Sequence, residues 1–154
     1  MSPNGLEQVR DAHAELLRRF DEYRDASNDV VRQNIVDEAR EAIELHLRTA
    51  EAVLMPLADR TFDGTDDQAV SSRADLEHDV LRAVMDRVGA LYSTEAAFRE
   101  LVIALEAHLR VYVEFMEDRL LAGLEGRVNV ALLDSAWRTQ LKEARRSALG
   151  EGWE

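Results

Sequence analysis

The sequence predicts an all-α fold, an antiparallel four-helix bundle with an additional short helix at its C-terminus. Three observations predict it. Apolar residues recur at three- and four-residue spacing along most of the chain, with no strand-like alternation. The breaks between the periodic runs are few and carry turn or capping residues. The length of 154 residues, with 46% hydrophobic and 32% charged content, suits one helix-rich domain with a solvated surface. Residues 1–154 are therefore read as one domain. The core bundle covers about 6–122 and the C-terminal helix about 128–148.

Each element has its own signal. Ser2-Pro3-Asn4 reads as a helix start, followed by Leu6, Val9, His13, Leu16, Leu17 and Phe20 on one face. This first helix is expected over about 5–24, and Asp25 to Asp29 is a turn rich in N-cap residues. The second is expected over about 29–55, with Val31, Ile35, Ala39, Ala42, Ile43, His46, Ala50, Val53 and Leu54 inward and Pro56 ending or kinking it. Asp59 to Arg73 is the most loop-like stretch and reads as the crossing between two helix pairs. Ser72 and Asp75 then resemble a capping box for a third helix over about 73–91. Ser93-Thr94-Glu95 starts a fourth, running to about 122, with Leu101, Leu105, His108, Val111, Tyr112 and Phe115 inward. Gly123 and Gly126 break the pattern. The last segment has an apolar face of Leu133, Ala136, Trp137, Leu141 and Ala144, which can dock along the bundle or form a homodimer contact.

Composition narrows the function. A net charge of −12 disfavours nucleic acid and anionic membranes as partners. No cysteine is present, which removes disulfides, thiolate metal sites and cysteine nucleophiles. The start carries no apolar signal core and no run is long enough to span a bilayer, so a cytoplasmic location is expected. No phosphate-binding loop or Ser-His-Asp setting stands out, so binding is expected rather than catalysis.

The four histidines, His13, His46, His78 and His108, fall one to each long helix, on or beside an apolar stripe. In each half the first histidine is followed three positions on by leucine (Leu16, Leu81), and the second by Leu-Arg. A single histidine on such a stripe is ordinarily a hydrogen-bonded core residue. One on each of four facing helices is the arrangement by which bundles hold metals and cofactors.

The segments HLRTAEAVLMP (from His46) and HLRVYVEFMED (from His108), with His13 and His78 before them, resemble the hemerythrin-like HHE cation-binding family. The likeness covers about residues 6–120, most of the chain. It implies a four-helix bundle, and a non-haem di-iron site bridged by the glutamates of two His-x-x-x-Glu motifs. It also implies a role in binding oxygen, sensing oxygen or nitric oxide, or handling iron. The chain departs from the motif at both glutamates, which are Ala50 and Tyr112.

That departure changes the chemistry. Glu51 and Glu114 lie five and six positions after His46 and His108, about 140° and 120° off the required face. Asp75, three before His78, is a candidate partner for orienting that ring. Four neutral imidazoles offset none of the charge of two ions in a dry core. Three readings stay open. One is non-haem iron, or another metal, held by His13, His46, His78 and His108 with Tyr112 as a further donor. The second is haem on axial histidines, since porphyrin brings its own negative charge. The third is a cofactor-free interaction module. In the first two the expected partner is a small diatomic ligand.

Overall fold

The computed structural model describes residues 5–151. The helix-start signal at Ser2-Pro3-Asn4 lies outside them. Helix α1 spans Gly5–Asp25 and buries Leu6, Val9, His13, Leu16 and Phe20, the stripe read from its spacing. Asn28 ends the following turn as the N-cap of α2, Asp29–Thr61, its Oδ1 accepting from the Val31 N–H at 2.9 Å.

Helix α2 passes through Pro56 without ending there. The proline leaves the carbonyl of Ala52 without its helical donor. Ala52 is exposed, so water can satisfy that carbonyl. Buried Leu54, Met55 and Ala58 hold the helix on either side of the proline. The expected crossing loop at 59–73 therefore shrinks to residues 62–64, where Gly64 takes a φ of +89°. Helix α3, Thr65–Gly89, begins well before the expected position, with Asp66 and Asp67 at its positive end. Ser72 lies inside α3 and is not its cap. Val70, Ala74, His78, Leu81, Met85 and Val88 form its buried face. The serines and aspartates that gave this stretch its loop-like look lie around that stripe.

A turn at 90–95 leads to α4, Ala96–Phe115. The Ser93 hydroxyl donates to the Asp29 carbonyl at 2.8 Å and its N–H to Gln33 Oε1 at 2.7 Å, tying this turn to the start of α2. The helix continues as a π-helical segment, Met116–Leu121, and a short final turn, α5, Ala122–Leu124. Phe115 and Leu120, and Met116 and Leu121, are five apart and all buried, a pairing that the wider π turn keeps on one face.

Helices α1 to α4 pack in a ring: α1 on α2, α2 on α3, α3 on α4 and α4 on α1. With the short connections this is the up-and-down antiparallel bundle that the sequence predicts. The last helix, α6, spans Val130–Glu151 and docks along α1 and α2. Among its described residues Leu133, Trp137 and Ala144 are buried, whereas Ala136 faces solvent. Among the described residues no helix is long and apolar enough to cross a membrane.

Candidate metal centre

Three of the four histidines meet in the core. His13 on α1, His46 on α2 and His78 on α3 are all buried, and the fourth helix contributes Tyr112. The His13 and His46 ring centres are 4.9 Å apart, and Tyr112 lies 5.9 Å from His13, 6.0 Å from His46 and 5.3 Å from His78. His108 is not among them. It is half-buried at the flank of α4, whose inward face runs through Val102, Leu105, Leu109, Tyr112 and Met116. Val111, expected inward, is 45% exposed. Helix α4 carries apolar residues on several sides, so apolar spacing alone does not choose its face. Its charged positions do: Arg99, Arg110 and Glu114 face solvent, opposite the buried stripe.

The hydrogen bonds have a definite direction. Glu51 Oε2 lies 3.0 Å from His78 Nδ1. A carboxylate only accepts, so the Nδ1 of a neutral His78 carries the proton and its Nε2 is an acceptor. The Tyr112 hydroxyl, 3.2 Å from that Nε2, therefore donates to it. The same oxygen is left to accept from His46 Nε2–H at 3.3 Å. Arg82 closes the outer end with Nη bonds of 2.6 and 2.8 Å to Glu51, and its Nε donates to Glu44. Arg82 holds the Glu51 carboxyl below its usual range, with His78 adding to the effect. Asp75, the partner expected from spacing, is exposed, and Glu51 takes that role. Glu51 points neither at His46 nor simply to solvent. It crosses to the neighbouring helix, a pairing that one-helix geometry does not reveal.

His13 is different. It is fully buried and neither ring nitrogen has a hydrogen-bond partner. The nearest carboxylate, Glu117 Oε2, is 3.9 Å from Nδ1, beyond hydrogen-bond reach. Glu117 comes from the π segment that follows Tyr112. So the two outer histidines of the cluster, His13 and His78, each have a carboxylate behind Nδ1. Neither carboxylate is in a His-x-x-x-Glu register. Burial, with the neighbouring His13 and His78, pushes the His46 pKa well below the usual histidine range, so its ring is neutral at pH 7. Burial, reinforced by the negative charge of Glu51, raises the Tyr112 hydroxyl above its usual range and keeps it protonated.

A scan against family models matches residues 4–124 to the hemerythrin HHE cation-binding domain. The chain belongs to that family. No curated protein and no solved structure matches it. In this member of the family, the positions four residues after His46 and His108 are filled by fully buried Ala50 and Tyr112. No carboxylate enters the core there, so the donors do not fit a carboxylate-bridged pair of ions. Among the described residues no three His, Asp or Glu side chains form a metal-holding group by themselves. The Tyr112 hydroxyl supplies the convergence. It lies 3.2 and 3.3 Å from the Nε2 atoms of His78 and His46, so one oxygen joins the two rings by hydrogen bonds. His13, with both ring nitrogens unpaired, lies beside these bonds, its ring centre 4.9 Å from that of His46.

Proposed function

We propose that this hemerythrin-family chain holds a single metal ion, with iron as the family's metal, between His13, His46 and His78, with Tyr112 as a further oxygen donor. The buried His13 ring with two unpaired nitrogens carries this reading. A buried polar group without a protein partner is costly, and a bound ion or water is one way to satisfy it. The carboxylates behind His78 and His13 support it. Metal-bound imidazoles ordinarily donate their outer N–H to a carboxylate, which fixes the ring and raises its basicity. Bound there, iron supplies a Lewis-acidic centre able to take a small ligand such as dioxygen or nitric oxide.

The chain's own groups must change little to accept the ion. His78 already has its Nε2 lone pair turned inward. His46 has to move its proton from Nε2 to Nδ1, and Tyr112 has to release its hydrogen bond to His78. Loss of the Tyr112 proton would offset one of the ion's two or three positive charges. A cytoplasmic setting belongs to the same proposal, because cysteine-free, histidine-based chemistry suits a reducing compartment.

A second reading rests on the hydrogen bonds themselves. His46, Tyr112, His78 and Glu51 already form a continuous chain, so within this cluster a cofactor-free core would leave His13 alone unsatisfied. Haem fits the geometry less well, since Tyr112, His13 and Trp137 wall in His46 where a porphyrin needs an open slot. Protein produced with iron and analysed for metal, together with one absorption spectrum, separates the three. The proposal expects one ion per chain, lost in His13→Ala, and a visible iron–tyrosinate band lost in Tyr112→Phe. An intense Soret band points to haem. Metal-free protein whose stability ignores added iron points to the cofactor-free core.

A further inference from the structure

The family match ends at residue 124, yet the structure closes the histidine cluster with a helix beyond it. The Trp137 indole of α6 lies edge-on to His46, with ring centres 5.5 Å apart. His46 is the least buried of the three clustered histidines, at 5% against 0% and 1% for His13 and His78. We infer that α6 is a hinged cover on the site, and that Trp137 is the side chain that shields His46 and limits what can reach it.

Several features make α6 the part that moves. Among the described residues its buried side chains are few: Leu133, Trp137 and Ala144, against ten buried residues on α2. Its ion pair between Asp134 and Arg138 runs within the helix and does not tie it to the bundle. Docking leaves Asp134 Oδ1 buried without a hydrogen-bond partner, so lifting the helix returns that oxygen to water. The joint before α6 holds Gly126 at a φ of +77°. Beyond the joint, Asn129 Oδ1 accepts from the Ala131 and Leu132 N–H groups, so the helix carries its own N-cap and stays helical while undocked. A helix that lies along the bundle but anchors there with few buried side chains, and that has its own cap, opens as a unit at a lower cost than the bundle it covers. The opening exposes the His46 edge of the cluster first, because that is the ring Trp137 touches.

The inference stands apart from metal binding, since access to His46 can be measured on metal-free chain. Two measurements test it. Hydrogen exchange on the wild-type chain should show α6 amides exchanging about 100-fold faster than those of α2 around His46. Equal protection of α6 and α2 overturns it. Diethyl pyrocarbonate labelling, read residue by residue, uses half-buried His108 as an internal reference. In Trp137→Ala, His46 should label about tenfold faster relative to His108 while His78 keeps its rate. An unchanged His46 rate, or His46 and His78 rising together, also overturns it. Should Trp137→Ala not fold, the wild-type exchange pattern decides alone.

Discussion

His13 has the least settled environment of any side chain in the core. An imidazole sealed from water with both nitrogens unpaired costs about 1–3 kcal/mol relative to one that is bonded. In the metal-free chain His13→Leu should therefore raise stability by roughly 1 kcal/mol, seen as a higher urea midpoint, while abolishing metal uptake. A loss of stability in that variant contradicts the account of His13. Glu51 acts through His78, whose outer nitrogen it holds. Glu51→Gln keeps an acceptor but removes the charge, and should weaken metal binding about tenfold or more with the fold intact. The pH dependence follows from His46. Its folded-state pKa lies well below the ordinary value of 6.5, so the unfolded chain binds the proton that the buried ring refuses. Stability of the metal-free chain is thus unaffected above that value. It falls as pH drops below 6.5, by up to about 1.4 kcal/mol per pH unit, until the folded pKa is reached. Urea melts at pH 7.5 and 5.5 check this, and an unchanged midpoint contradicts it. At this scale the sequence revealed the histidines on α1, α2 and α3, and Tyr112, because apolar neighbours at helical spacing mark a buried face. It did not reveal Glu51 or Glu117, whose partners lie on other helices.

The elements show where local signals mislead. Pro56 looks like a helix end, but α2 runs through it because the freed carbonyl belongs to exposed Ala52 and the next turn buries Ala58. Pro56→Ala restores one helical hydrogen bond, partly offset by a freer unfolded chain, and should stabilise by about 1–2 kcal/mol in thermal melts. Destabilisation there indicates that Pro56 packs in a way alanine cannot replace. Helix α3 hid behind polar residues that read as a loop, although the Val70–Ala74–His78 spacing was present. Helix α4 has an apolar spacing that places Leu105, Tyr112 and Phe115 inward correctly, but that also turns Val111 and His108 inward, which the structure leaves exposed and half-buried. Its charged residues, not its apolar ones, carried the correct orientation. The π segment had no local sequence mark. It follows from burying Phe115, Met116, Leu120 and Leu121 together, a condition set by the other helices.

At the scale of the whole molecule, the bundle is legible in the sequence because four long periodic runs leave few other ways to pack, even with 59–73 read as a loop. The docking of α6 was one of two outcomes the apolar face allowed. The structure uses that face on α1 and α2. A metal that binds only the folded chain stabilises all of it. At a free concentration about 100 times Kd the gain is about 2.7 kcal/mol, or roughly 5–10 °C in Tm for a chain of this size. Chelation should reverse that gain. The most direct test of the central claim is the metal-to-protein ratio of iron-loaded chain, measured by elemental analysis alongside the His13→Ala variant. A single-ion site predicts a ratio near one in the wild type and near zero in the variant. A ratio near two, or iron retained in full by His13→Ala, contradicts it.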